Sequence, residues 1–216
     1  MSYTHVPPSV TEKFEQTLAD HNLHAVVAAG EEFAPYADPT TDFFRKFRHP
    51  NVNVHSYVHD RYLQADDFRA ALVIDDAGGV AGTHWSQRVT LEELGSECDV
   101  LESIARMQQY LRPGNLQYFF ASELLVRPDL QGLGLGSGLR ALTQLAIRET
   151  ATEPAMLVSL ICHQKGATED NASEISARKV GLMPTGISYS GRARISSRFM
   201  LDYWYGMLRP GADAPL

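Results

Sequence analysis

Val10, Phe14 and Leu18 recur every four residues behind Pro7-Pro8, the spacing of one face of an α-helix. Ser9-Val10-Thr11-Glu12 has the order of a capping box, so the pattern predicts a first helix from Ser9 to about His21. Leu23 to Ala29 is an apolar run closed by Gly30 and predicts the first strand. Phe43, Phe44 and Phe47, behind Pro35 and Pro39, predict a second helix that reaches His49-Pro50. Asn51 to Asp60 alternates only in places, and a strand and an extended loop both fit it. Phe68 to Ile74, a turn at Asp75-Asp76-Ala77-Gly78-Gly79, and Val80 to Thr90 read as a hairpin.

Leu94, Val100, Leu101, Ile104, Met107 and Leu111 have helical spacing across Leu91 to Leu111, ahead of Pro113-Gly114. Leu116 to Val126 then reads as the central strand, and Gly134 to about Thr150 as a helix with Leu135, Leu139, Leu142 and Ala146 inward. Met156 to Cys162 reads as a strand and Ser173 to Val180 as a short helix. Met183 to Ser190 and Phe199 to Leu208 read as the last two strands, before a loose tail from Pro210.

The stretch Leu124 to Arg148, LLVRPDLQGLGLGSGLRALTQLAIR, holds the clearest chemistry. A strand ends at Val126, Pro128 breaks it, and Gly132, Gly134 and Gly136 precede the helix. Glycines at alternate positions let the backbone approach another molecule with no Cβ in the way. Their N–H groups and the first helical turn form an anion site favoured by the helix dipole. No Lys-Ser or Lys-Thr follows the glycines, which excludes a Walker loop. The dinucleotide fingerprint would need a further glycine where Ser137 or Leu139 stands. Leu135 and Leu139 flank Ser137 where a nucleophile elbow needs glycines.

Val126-Arg127-Pro128 followed by Gln131-Gly132-Leu133-Gly134-Leu135-Gly136 resembles the acyl-CoA-binding motif of the GNAT N-acetyltransferase superfamily. The resemblance is specific over residues 116–182 and architectural elsewhere. It implies an α/β (α+β) fold: one domain spanning 1–216, with a central mixed, mostly antiparallel sheet flanked by helices and splayed at the central strand. Residues 91–114 then read as a helical insertion. The implied activity is transfer of an acetyl group from acetyl-CoA to an amine of a small molecule or peptide. By motif position, the backbone of Leu124, Leu125 and Val126 would pair with the pantetheine arm. The N–H groups from Gln131 through Gly132, Leu133, Gly134, Leu135 and Gly136 to Ser137 would hold the pyrophosphate. Many members also protonate the leaving thiolate with a Tyr on a helix before a Gly-Phe. Aligned on Gly181, that position is Ala177 here, and Asp170 takes the place of the usual Asn, with Asn171 next to it. Asn171 remains a candidate contact for CoA. The missing acid leaves a second reading open, a catalytically weak CoA-binding regulatory module, and a third, a member using a longer acyl-CoA.

Glu123 stands on an otherwise apolar strand three residues before Val126. If buried it should be held above the usual carboxylate range and could serve as a base; a salt-bridged or partly exposed Glu fits equally. Tyr118, on the opposite face of an ideal strand, reads as an acceptor-pocket residue or, more simply, a core tyrosine. His55 and His59 have no acidic or Cys partner at ligand spacing, so no metal is expected. Arg192, Arg194 and Arg198, among serines, fit an anion site or a solvated loop.

Composition narrows this little further. The chain of 216 residues is 44% hydrophobic, suited to one packed domain. A net charge of −7 argues against a nucleic-acid partner. No leader or bilayer-spanning run is expected, so no membrane. Cys98 and Cys162 are unpatterned and point to a reducing, cytoplasmic setting. A homodimer is compatible with the pattern.

Overall fold

The computed structural model describes residues 3–47, 68–97, 116–164, 171–188 and 199–211. Its elements are α1 (Pro8–Asp20), β1 (Leu23–Ala29), α2 (Ala34–Phe47), β2 (Phe68–Asp75), β3 (Val80–Val89), α3 (Leu91–Glu97) and β4 (Gln117–Val126). They continue with α4 (Leu135–Thr150), β5 (Ala155–Gln164), α5 (Ala172–Lys179), β6 (Met183–Ser188) and β7 (Phe199–Leu208). Hydrogen bonding orders the strands β1-β2-β3-β4-β5-β7-β6. The pairs β1–β2, β2–β3, β5–β7 and β6–β7 are antiparallel and β4–β5 is parallel, so the sheet is mixed and mostly antiparallel, as expected.

The residues group into two compact units, and both β4 and α4 contribute to each. One unit comprises Pro8–Gln87 and Glu123–Thr143. Here β1, β2 and β3 form an antiparallel meander, with Asp75 closing the β2–β3 turn by accepting from the Ala77 and Gly79 N–H groups. One face of the meander buries Phe33, Phe44, Phe68 and Trp85, whose rings meet edge-on at 5.0 to 6.2 Å. The other face packs Ala71, Val73 and Ala81 with Phe14, Leu135 and Leu139.

The other unit comprises Met1–Pro7, Arg88–Ser122 and Gln144–Leu216. Its parallel ladder pairs Gln117–Ala121 with Ala155–Ser159, while β4 runs on to Val126 and β5 to Gln164. Strand β7 pairs along the whole of β5, from Leu208 opposite Ala155 to Phe199 opposite Gln164. Phe120, Met156, Val158 and Tyr203 centre its core.

Two boundaries differ from the sequence expectation. Helix α1 starts at Pro8, so Ser9 is not the cap. Thr11 donates to the Pro8 carbonyl, and proline, which needs no N–H partner, takes the first turn. Helix α2 starts at Ala34 and keeps Pro39 inside it. A proline there removes a helical hydrogen bond, a cost of about 3 kcal/mol in a helix interior. Burial of Ala37, Phe43 and Phe44 opposes that cost. Beyond Glu97, the expected helix reaching Leu111 lies outside the described residues, as do the segment Asn51–Asp60, His55, His59 and the Arg192–Arg198 cluster.

Candidate functional site

The end of β4 leads into a loop that closes on itself. The Arg127 N–H donates to the Ala81 carbonyl at 2.9 Å and ties the strand end to β3. Pro128–Leu130 forms a 3-10 turn, after which the Gln131 N–H donates to the Pro128 carbonyl. That donor is used within the loop, so the expected run of anion-facing N–H groups starts one residue later, at Gly132. The Gln131 side chain also turns back, its amide donating to the Val126 carbonyl at 3.0 Å. This residue therefore shapes the loop.

Gly132 and Gly134 have φ of +80° and +102°, values that L side chains rarely adopt. They turn the chain into α4, whose first hydrogen bond runs from the Gly138 N–H to the Gly134 carbonyl. The N–H groups from Gly132 to Ser137 meet no acceptor among the described residues. A helix start leaves such donors orphaned, and its dipole adds positive potential there. Gln131 and Gly132 are exposed, whereas Leu135 and Ser137 are buried. Chain neighbours aside, no atom of the described residues lies within 4 Å of a Cβ built on Gly132.

Helix α1 fixes this loop from the side. The Thr17 hydroxyl lies 2.9 Å from both the Lys13 and Leu133 carbonyls. The Lys13 stem lies across Gly134, and a Cβ on Gly138 would overlap the Phe14 ring. Arg127 stands between Asp75, at 3.0 Å, and Asp129, at 2.9 Å, and so joins the β2–β3 turn to the loop. The roles of Lys13 and Thr17 have no signature in the sequence, because more than a hundred residues separate them from the loop.

Glu123 lies in β4 with φ of +50°, in the left-handed region. Its side chain is half-buried, as are Leu124, Leu125 and Val126. Of these, Leu125 packs against the aromatic cluster and Leu124 and Val126 against the α1–α4 side. A non-glycine residue held there is uncommon, and such positions collect at functional sites.

The hairpin histidine forms one further pair. His84 on β3 is buried, and its Nδ1 lies 2.9 Å from the Thr143 hydroxyl on α4. That hydroxyl donates to the Leu139 carbonyl, so the His84 ring donates from Nδ1 and keeps Nε2 as an acceptor. Nε2 meets no partner among the described residues. Burial, then the nearby Arg140 guanidinium, holds His84 well below the ordinary histidine value. Burial also lowers Arg140 to about 10.

The remaining candidates fall in the other unit. Tyr118 packs beside its core, and partial burial pushes its phenol above the ordinary value. Asn171 caps α5, accepting from the Ser173 and Glu174 N–H groups, while Glu174 accepts from the Asn171 N–H. The cap accounts for its side-chain oxygen without a ligand. Ala177 is fully buried, with its carbonyl accepting from Leu182, so a packed methyl fills the position aligned with the usual acid. Among the described residues, no group of three His, Cys, Asp or Glu side chains could hold a metal ion, and no helix is long and apolar enough to cross a membrane.

No family profile and no curated protein matches the chain. Solved structures do. Arabidopsis thaliana NAA60 in complex with acetyl-CoA superposes with a TM-score of 0.59 at 10% identity, over 86% of this chain and 97% of that one. Arylalkylamine N-acetyltransferase 2 from Aedes aegypti gives 0.55 at 11% identity, over 87% and 100%. The GNAT superfamily phosphinothricin acetyltransferase from Sinorhizobium meliloti, in complex with acetyl-CoA, gives 0.52 at 12%, over 89% and 93%. At such low identity the shared property is the arrangement of strands and helices: the chain has the fold of the GNAT acetyltransferases.

Proposed function

We propose that this protein binds acetyl-CoA at the loop from Gly132 to Ser137 and transfers its acetyl group to an amine. The observation that supports the reading is the run of orphaned N–H groups at the start of α4, behind two glycines with positive φ, in this fold. An anion seated there would meet several donors and the positive end of a helix. The backbone of Leu124 to Val126 would receive the pantetheine arm, with the Val126 carbonyl already engaged by Gln131.

In the reaction, the neutral amine nitrogen attacks the thioester carbonyl carbon. A C–N bond forms, the C–S bond breaks, the amine loses a proton and the thiolate gains one. Glu123 is the candidate to take the amine proton, directly or through water. The buried Ala177 supplies no acid, so water or another group returns the proton to sulfur. The acceptors named for the similar structures include arylalkylamines and phosphinothricin, and this reading places the acceptor no more finely than an amine. The whole chain 1–216 would form one acyltransferase domain.

The buried Ala177 favours a second reading, a CoA-binding module that turns over slowly or not at all. One experiment separates the two. Calorimetry with acetyl-CoA is run on the wild type and on folded Gly132→Val, followed by release of free thiol against a panel of amines. The expected result is binding by the wild type, at least about tenfold weaker binding by the variant (about 1.4 kcal/mol), and thiol release with at least one amine. Binding without amine-dependent release leaves only the second reading. Equal affinity in both proteins rejects the loop as the site.

A further inference from the structure

Lys13 makes a contact that the acyl-CoA motif does not include. Its Cε, Cδ and Cγ atoms lie 3.1, 3.3 and 3.4 Å from the position a Cβ would take on Gly134. The aliphatic stem therefore lies flat on the loop, and Nζ is one bond beyond the closest of these atoms. The stem is pinned on both sides of its turn. One turn further along α1, Thr17 bonds the Leu133 carbonyl, and the adjacent Phe14 ring covers Gly138. Lys13 is exposed, and its ammonium has no carboxylate partner among the described residues. Arg127, the cation inside the motif, is by contrast held by Asp75 and Asp129.

A pyrophosphate carries formal negative charge, and backbone N–H groups supply only partial charge to oppose it. The chain has a net charge of −7, so its long-range field disfavours a polyanion. Among the described residues, Arg127 at the loop is already paired with two carboxylates, and Lys13 is a local cation that is not. An ammonium whose stem is already ordered loses little further rotamer entropy on binding.

We propose that Lys13 supplies the formal positive charge that holds the pyrophosphate of acyl-CoA at this loop. Its role is in binding and not in the proton transfers. The proposal rests on the reading of the loop as the acyl-CoA site. It also assigns a second purpose to Gly134: a Cβ there would press on the lysine stem, 3.1 Å from its Cε.

The test measures acetyl-CoA affinity by calorimetry for the wild type, Lys13→Met and Lys13→Arg, at about 0.05 M and about 0.5 M salt. Methionine keeps most of the stem and removes the charge; arginine restores the charge. The expected result is an affinity about tenfold lower for Lys13→Met at low salt, near-wild-type affinity for Lys13→Arg, and a gap that shrinks toward one at high salt. Thermal melts of each protein identify any loss of fold, and Lys13→Gln replaces Lys13→Met if that variant does not fold. Equal affinities at low salt overturn the proposal, as does a loss that is the same at both salt concentrations, which would mark Lys13 as a packing residue. If the wild type itself fails to bind acetyl-CoA, the loop reading falls and this proposal with it. If the wild type binds and the uncharged variant matches it, only this proposal falls.

Discussion

Glu123 and Asn22 are the non-glycine residues with positive φ among those described. Asn22 has an ordinary reason: its N–H donates to the Ala19 carbonyl just after α1, and asparagine tolerates the left-handed region at a helix end. Glu123 has no such local reason, because it lies within a strand. A left-handed glutamate costs on the order of 1 kcal/mol or more, and glycine would remove that cost. A carboxylate nevertheless stands where the backbone turns. We expect Glu123→Gln to fold normally and to lower turnover by at least about tenfold, with a changed pH–rate profile. Glu123→Gly should be as stable as the wild type and equally slow. Steady-state rates across pH for the three proteins check this; unchanged rates in Glu123→Gln exclude the role. The sequence marked Glu123 as an odd carboxylate among apolar neighbours. Its backbone conformation depends on strand pairing and left no trace in residue type.

At the scale of elements, α4 meets α1 and β3 at closely matched small and large residues. Phe14 occupies the space over Gly138, and Leu139 fills that over Gly82. Alanine is a better helix former than glycine by about 0.8 to 1 kcal/mol, so an unobstructed Gly138→Ala would stabilise α4. Overlap with the Phe14 ring reverses the sign. We expect a net loss of about 1 to 3 kcal/mol, read from urea denaturation midpoints, and recovery of much of it in the double variant with Phe14→Leu. Stabilisation by the single change would show that α1 is not seated as described. The amphipathic spacing of Val10, Phe14 and Leu18 announced this helix, and the apolar run Leu23–Ala29 matched β1 residue for residue. The apparent capping box misled, because Pro8 was equally suited to the first turn.

For the molecule as a whole, His84 should set part of the pH dependence of stability. Its folded value lies well below 6.5, first through burial and second through Arg140. Unfolded, the ring titrates at about 6.5. Between those two values the unfolded chain binds a proton that the folded chain does not, so stability falls as pH drops below about 6.5. The loss approaches about 1.4 kcal/mol per pH unit from this group alone. Denaturant unfolding at pH 7.5, 6.5 and 5.5 should show the decline, and His84→Gln should flatten it. A wild type and variant with parallel pH profiles would contradict this assignment.

The order of the described elements and the glycine turns of the loop were legible in the residues themselves, and the fold class followed from the resemblance that the loop motif carries. Strand alternation, helical spacing and glycines that turn a chain are short-range properties, and a linear pattern records them directly. The burial of His84 beside Arg140, the placement of Lys13 on Gly134 and the left-handed turn at Glu123 were decided only by tertiary structure. Each depends on which distant segment packs alongside, and packing brings together residues whose separation along the chain carries no signal of their meeting.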